Sequence, residues 1–387
     1  MQLIKHKTNI DFIGKRKPAL FISTVLNLAI LVGITVAGFN FGVDFAGGTV
    51  VELKFNHSVS PDEVRKRAEA GNLQDVSVQG IGSSDENSFL LRLGGVTQLT
   101  KESAAKAEVA VRALGEVKSF YADTENGIIN FRAAQKQSAE AVKRAVAESG
   151  TGVKEVRELG ESQGGGADYQ VVASGMADRI TQVMAAGKEK DFITQRVDYV
   201  GPQVGKQLRN KGVMALLYAM FAILVYVAFR FDFKFGPGAL VAMVHDVVMV
   251  SGYFLVSRRE FNLTSIAVLL TIIGYSINDT IVIYDRIREE MVRYKGKPLP
   301  EIINIAVNDT LSRTLLTSGV TALSLIGLLI FGVGEIWDFA MAMLIGIIVG
   351  TYSSVYIASP LTIWLDERQA AKEREAKGLG QGKPKVA

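Results

Sequence analysis

LTSIAVLLTIIGYSINDTIVIY, Leu263–Tyr284, is the run on which the fold turns. Fourteen of its 22 residues are hydrophobic, and a single one is charged. At 1.5 Å per residue a helix of this length crosses a hydrocarbon core of roughly 30 Å. Yet it carries a carboxylate, Asp279, flanked by Asn278 and Thr280. Five other stretches match it in length and character, at about 18–38, 213–229, 236–256, 314–332 and 339–360, and the quoted run supplies about 264–284. The sequence therefore predicts an α-helical membrane protein with six transmembrane helices.

Composition agrees. Of 387 residues 48% are hydrophobic, and the mean hydropathy of +0.22 is too high for an ordinary soluble protein. There is no cysteine, which excludes disulfides and thiolate metal sites. The first span follows Lys15, Arg16 and Lys17, as the apolar part of a signal peptide does. It is long for such a segment and five more spans follow, so it is expected to stay in the membrane.

Basic residues orient the spans. With the N-terminus (1–17) in the cytoplasm, the inner segments hold Lys5, Lys7, Lys15, Arg16, Lys17, Arg230, Lys234, Arg286, Arg288, Arg293, Lys295 and Lys297, and a basic tail (361–387). The outer loops hold Arg258 and Arg259. Both termini are then cytoplasmic, and the polar segment 39–212 lies outside the membrane.

That segment repeats itself at a spacing of about 78 residues. GTVVELKF (48–55) aligns with NGIINFRA (126–133), and SPDEVRKRAEAG (60–71) with SAEAVKRAVAES (138–149). Alternating apolar residues mark strands (Val51, Leu53, Phe55; Ile129, Phe131), and helical periods follow. Each copy reads β-α-β-β-α-β, the ferredoxin-like pattern, which predicts an α+β extracytoplasmic domain of two tandem copies, about 48–122 and 126–200. The Ala- and charge-rich runs 100–114 and 138–148 are too short for a coiled coil and read as amphipathic helices over a small sheet.

FGVDFAGGTVVELKF (41–55) directly after the first span, VDYVGPQVGKQL (197–208) just before the second, LTIIGYSINDTIVIYDRIREE (270–290) and SRTLLTSG (312–319) resemble the SecF family. Its members are the smaller partners of SecD in bacterial protein export. SecD and SecF together are similar to transporters of the resistance-nodulation-division (RND) superfamily, each supplying six spans and an external domain. The resemblance implies an auxiliary subunit of the Sec translocase in the bacterial inner membrane. It would act with SecD beside the SecYEG channel, moving preprotein on the outer side at the expense of the proton gradient. YajC and YidC are further candidate partners, the lipid bilayer is the surroundings, and nucleic acid is not an expected partner. The family usually carries a single small outer domain, so two copies are a departure, with the extra material around 100–175.

Asp279 is the first candidate for chemistry. It sits roughly 24 Å into its span, nearer the cytoplasmic face than the midplane. A bare carboxylate costs about 2.5–3.5 kcal/mol at a helix centre and somewhat less away from it. Ser276, Thr280 and Ile283 share its helical face. Burial favours the protonated carboxyl and a nearby cation the ionised one, so such a group can trade a proton. The bland alternative is an Asp that only hydrogen-bonds to a neighbouring helix. The resemblance makes it the proton-relay carboxylate and makes Arg313 its partner. Taken alone, Arg313 fits equally an arginine snorkelling from a span end.

His245 and Asp246 are second-rank candidates, with Asp246 about 16 Å into the third span. Adjacent helical residues point about 100° apart, so the two are not expected to make one site by themselves, and a polar clasp between helices is the competing reading. Asn278, Ser276 and Thr280 complete the polar set. GVDFAGGT (42–49) lacks the ending of a phosphate loop and is expected to turn the chain from span into strand. Gly346 and Gly350 form a GxxxG helix-packing face. Residues 286–314 suggest a cytoplasmic connection with a short amphipathic helix at the interface around Ile302, Ile303, Ile305 and Ala306. No nucleophile–base constellation points to an enzyme, and no cofactor or metal is expected. A small-molecule or lipid exporter of RND type and a structural assembly factor without proton coupling are the alternative functions. The first is opposed by the lone six-span half and the small outer domain.

Overall fold

The computed structural model describes residues 8–73, 76–81, 87–162, 166–185, 191–231 and 234–376. The turn expected around 163–165 and the end of the basic tail lie outside them. The chain forms two compact units, one made of the segment up to Asn40 together with everything from Lys211 on, the other of Phe41–Asn210.

Helix α1 (Arg16–Ala37) opens the first unit. The second unit then runs α2 (Val43–Ala46), β1 (Gly48–Phe55), α3 (Pro61–Ala70), β2 (Ser77–Ile81), β3 (Ser88–Leu93), α4 (Lys101–Ala113), β4 (Val117–Asp123), β5 (Ile128–Ala133), α5 (Ala139–Glu148), β6 (Val153–Ser162), β7 (Gly166–Ala173), α6 (Met176–Ala185) and β8 (Phe192–Val200). Helix starts follow local chemistry. Ser60, Thr100 and Ser138 each accept a hydrogen bond from the backbone N–H three residues on, and Pro61 occupies the first position of α3, where no N–H is needed.

The order of elements is β-α-β-β-α-β twice, as the repeat predicts, but the sheets do not respect the copy boundaries. One sheet is β8-β1-β3-β2 and the other β4-β5-β7-β6, antiparallel throughout. Each therefore takes its last strand from the other copy. The helices follow their strands. Ile180 and Met184 of α6 pack with Val51, Leu53 and Val64, while Ala104, Ala107 and Val111 of α4 pack with Ile129, Phe131 and Val142. The boundaries 48–122 and 126–200 are thus those of the sequence repeat and not of the two hydrophobic cores. The exchange seats Val200 opposite Gly48, so the chain leaves this unit beside the point where it enters. Gly47 (φ +75°) and Gly48 (φ +128°) make the turn, and a Cβ on Gly47 would lie 2.9 Å from Pro202 Cα.

Helix α7 (Pro202–Arg230) starts within the second unit, and from Lys211 on the first unit continues with the rest of α7, α8 (Gly236–Ser257), α9 (Leu263–Arg293), α10 (Leu299–Phe331) and α11 (Glu335–Ser353), which runs through a π-helical turn, Ser354–Ala358, into α12 (Ser359–Ala376). Among the described residues six helical segments are long and apolar enough to span a membrane. Their burial is uneven. In the most apolar stretch, 50–56% of residues are buried for α8, α9 and α11–α12, against 11% for α1, α7 and α10. Helices α8, α9 and α11 thus form the inside of the bundle, and the rest coat it. The expected interfacial helix is not separate. Residues 299–313 are the first turns of α10, with Ile302 buried and Ile303 and Ala306 in the bundle core with Tyr284 and Ile287. The chain ahead of α1 is tied to those turns. Asn304 Oδ1 accepts from the Phe12 N–H (2.9 Å) and the Ile13 N–H (3.3 Å), and Asn308 Oδ1 from the Ile10 N–H (2.9 Å).

Candidate functional site

The buried acids and the buried histidine of the helical unit, His245, Asp246, Asp279 and Glu290, lie on α8 and α9, two of the inner helices. Asp246 on α8 is 0% exposed. Its Oδ1 lies 2.9 Å from His245 Nδ1, and its Oδ2 accepts from Ser276 Oγ of α9 (2.5 Å) and from Ser353 Oγ of α11 (2.8 Å). Asp246 thus ties three helices together. His245 and Asp246 meet directly, in a cluster that Ser276 and Ser353 complete. Their Cβ atoms do diverge around the helix, but rotation about the side-chain bonds brings ring and carboxylate into hydrogen-bond range. His245 Nε2 is buried with no hydrogen-bond partner, and the ring stacks on Tyr352, whose hydroxyl bonds to Ser23 Oγ (2.9 Å).

Asp279 lies on α9, one turn beyond Ser276, and is 3% exposed. Its Oδ2 is buried without a hydrogen-bond partner. The Arg313 charge acts on it from α10, and the Thr351 hydroxyl of α11 lies alongside. Among the described residues Arg313 makes no ion pair with Asp279 or any other acid, and it is exposed on a helix that is itself mostly uncovered. Thr280 is buried next to Asp279, its Oγ1 2.8 Å from Ser354 Oγ, which in turn donates to the Gly350 carbonyl (2.9 Å). Asn278 is exposed and takes no part. Of the seven residues singled out by sequence, His245, Asp246 and Ser276 form one hydrogen-bonded cluster. Asp279 and Thr280 line the same seam, and Arg313 stands at its edge.

Close approach makes the seam possible. A Cβ on Gly346 would overlap the Ile272 side chain, and one on Gly350 would lie 2.9 Å from Ser276 Cβ, so the GxxxG face brings α11 hard against α9. Sequence reasoning stopped at Gly350 and missed the next residues. The signal was present: Thr351, Tyr352, Ser353 and Ser354 are four consecutive hydroxyls in an otherwise apolar span. Ser353 and Ser354 hold Asp246 and Thr280, and the π-helical turn begins there. Such turns gather at functional sites.

At the far end of α9 lies an ion network. Arg286 bonds Asp309 (2.6 Å), Glu289 (2.7 Å) and Glu290 (2.7 Å), and Glu290 is 1% exposed. Among the described residues no three His, Cys, Asp or Glu side chains gather at metal-binding spacing.

Residues 180–368 match the model of the family described as protein export membrane protein SecD/SecF, C-terminal, and residues 32–59 match the SecD/SecF GG motif. The chain is 40% identical over 366 residues to the protein translocase subunit SecF of Magnetococcus marinus, covering 95% of each chain. It is 37% identical over 366 residues to the protein translocase subunit SecF of Calditerrivibrio nitroreducens, covering 93% of this chain and 95% of that one. Such coverage leaves no room for a whole missing copy of the outer repeat, so the expected departure from the family does not hold against these relatives. The chain is also similar to the crystal structure of SecDF, a translocon-associated membrane protein, from Thermus thermophilus, with 29% identity and a TM-score of 0.63. That match covers 95% of this chain and 40% of the other, so the chain spans about two fifths of the longer protein.

Proposed function

The chain belongs to the SecD/SecF family of protein-export membrane proteins, as a multi-pass membrane subunit of the SecF kind, and from that premise we propose that it couples proton movement to preprotein export. In this reading it acts with SecD beside SecYEG in the bacterial inner membrane, with both termini in the cytoplasm and residues 39–212 on the outer side. YajC and YidC remain candidate neighbours.

One observation carries the reading. The Asp279 carboxylate is buried among apolar helices with one oxygen bare, close enough to feel Arg313 but not paired with it. A structural Asp would be expected to use both oxygens, because an unpaired buried acceptor is costly. An Asp that alternates between a proton and Arg⁺ must have an oxygen free. Taking up the proton removes the attraction to the guanidinium, and the α9–α10 contact can shift between two arrangements.

The test is Asp279→Asn, which keeps the shape and removes the titratable proton. Export of a tagged secretory protein is followed in cells carrying the variant, with its membrane level and its retention of the partner subunit measured alongside. Export is expected to slow at least tenfold with the protein present at wild-type level, corresponding to about 1.4 kcal/mol of lost coupling or more. Unchanged export would place the chain as an assembly factor without proton coupling.

A further inference from the structure

We propose that His245 and Asp246 form a second proton-holding site in the bundle, separate from Asp279 and joined to it through α9. This rests on the proton-coupled reading above and extends it by naming a second holder.

The hydrogen-bond pattern at Asp246 is complete in either protonation state. When the carboxylate is ionised, Oδ2 accepts from Ser276 and Ser353, and Oδ1 from a His245 Nδ1–H. When Oδ2 carries a proton, the direction at Ser353 reverses. The acid O–H donates to Ser353 Oγ, and the Ser353 hydroxyl donates to the Gly350 carbonyl, 3.1 Å away. Ser276 and His245 keep their bonds. A hydroxyl both donates and accepts, so no heavy atom has to move.

His245 supplies the second observation. With Nδ1–H given to Asp246, Nε2 is a bare acceptor, buried and unpartnered. It offers the pair a second place for the same proton. The step itself is simple. Hydronium gives up its proton, one O–H or N–H bond forms, and water leaves with the electron pair of the broken bond.

Among the described residues no lysine or arginine pairs with Asp246. Asp279 is the acid facing the seam from α9, Tyr352 the phenol from α11, and Arg313 on α10 acts on Asp279. Arg16 and Lys17 stand at the first turn of α1, and Asp366 of α12 is taken up by Lys234 (3.0 Å). Ser276 links the two acids. Its hydroxyl binds Asp246, and it lies one turn before Asp279 on the same helix.

Infrared difference spectroscopy of the full chain in lipid nanodiscs, titrated from acid to alkaline pH, tests this. The wild type is expected to show two carboxylic-acid C=O bands that exchange slowly with deuterium. Asp279→Asn should remove one and Asp246→Asn the other. Ser353→Ala, which removes one partner of Asp246, should shift the Asp246 band and leave the Asp279 band in place. It carries the test if Asp246→Asn does not accumulate. Loss of a band in Asp246→Asn or its shift in Ser353→Ala supports the proposal, even if Asp279→Asn changes nothing, in which case the Asp279 reading alone fails. A spectrum that neither Asp246→Asn nor Ser353→Ala alters overturns it.

Discussion

Two aspartates on inner helices illustrate how much a single residue's neighbours decide. Asp246 has its oxygens engaged by three side chains, whereas Asp279 keeps one oxygen bare. Ser276 stands between them, and its position depends on a glycine. At Gly350 a Cβ would meet the Ser276 Cβ at 2.9 Å and its Cα at 3.3 Å. Backbone cannot rotate aside, so Gly350→Ala is expected to push α11 from α9 and stretch the bonds of Ser353 and Ser354. Overpacking of this kind costs about 1–3 kcal/mol. Thermal melting in nanodiscs should show the loss, and export should fall with it. At Gly346 a Cβ would overlap both branches of Ile272, which is buried and stiff at its first side-chain torsion, so Gly346→Ala is expected to cost at least as much. At this scale the sequence identified both acids, because a charged residue in an apolar run is conspicuous. It put Asp279 first and Asp246 second, but it could not see how differently their oxygens are engaged, because the partners of Asp246 are serines 30 and 107 positions away.

Among the elements, helix α10 departs furthest from its reading. Hydropathy places a span at 314–332, but the helix starts at Leu299, and its first turns belong to the bundle core. A window average sees only the apolar half, while the half with Asn304 and Asn308 reads as a separate amphipathic helix in a cytoplasmic connection. Those two asparagines are what hold the chain ahead of α1. Asn304→Ala removes the acceptor for two backbone N–H groups, at Phe12 and Ile13. Amide hydrogen exchange at Phe12 and Ile13 is expected to quicken about fivefold or more, in line with roughly 1–3 kcal/mol for a lost buried partner. Exchange in the middle of α9 should stay as it was. If Phe12 and Ile13 exchange at the wild-type rate, the strap is held by apolar packing of Phe12 and Ile13 instead. The bare helix faces of α1, α7 and α10 follow from the surroundings: in a bilayer an apolar face needs no protein cover.

For the molecule as a whole, the exchange of strands between the two copies has a direct consequence. The second sheet is reached and left at one place, where Thr97 bridges Gly175 and the Gln98 N–H donates to the Ser174 carbonyl (3.2 Å). Replacing residues 98–174 by a short Gly/Ser linker should leave β1, α3, β2, β3, α6 and β8 as one closed βαββαβ unit. Deleting the repeat copy 126–200 should strip β8 from β1 and α6 from the core of Val51, Leu53 and Leu91. The first variant is expected to accumulate in the membrane and resist limited proteolysis, and the second to be degraded. The reverse outcome would mean that each copy closes on itself.

Local information fixed what is local: six apolar runs, two βαββαβ patterns, the caps and the turn glycines all follow from side chains within a few positions of one another. Tertiary structure decided the partners. Both copies offer a fourth strand of similar pattern, and choosing β8 for β1 depends on bringing Gly48 and Val200 side by side, which no local preference encodes. Likewise, each serine that holds Asp246 is an ordinary small residue in its own helix. It becomes a ligand of a buried carboxylate only when α8, α9 and α11 pack with their small residues facing inward, because a hydrogen bond exists only at a distance that packing sets.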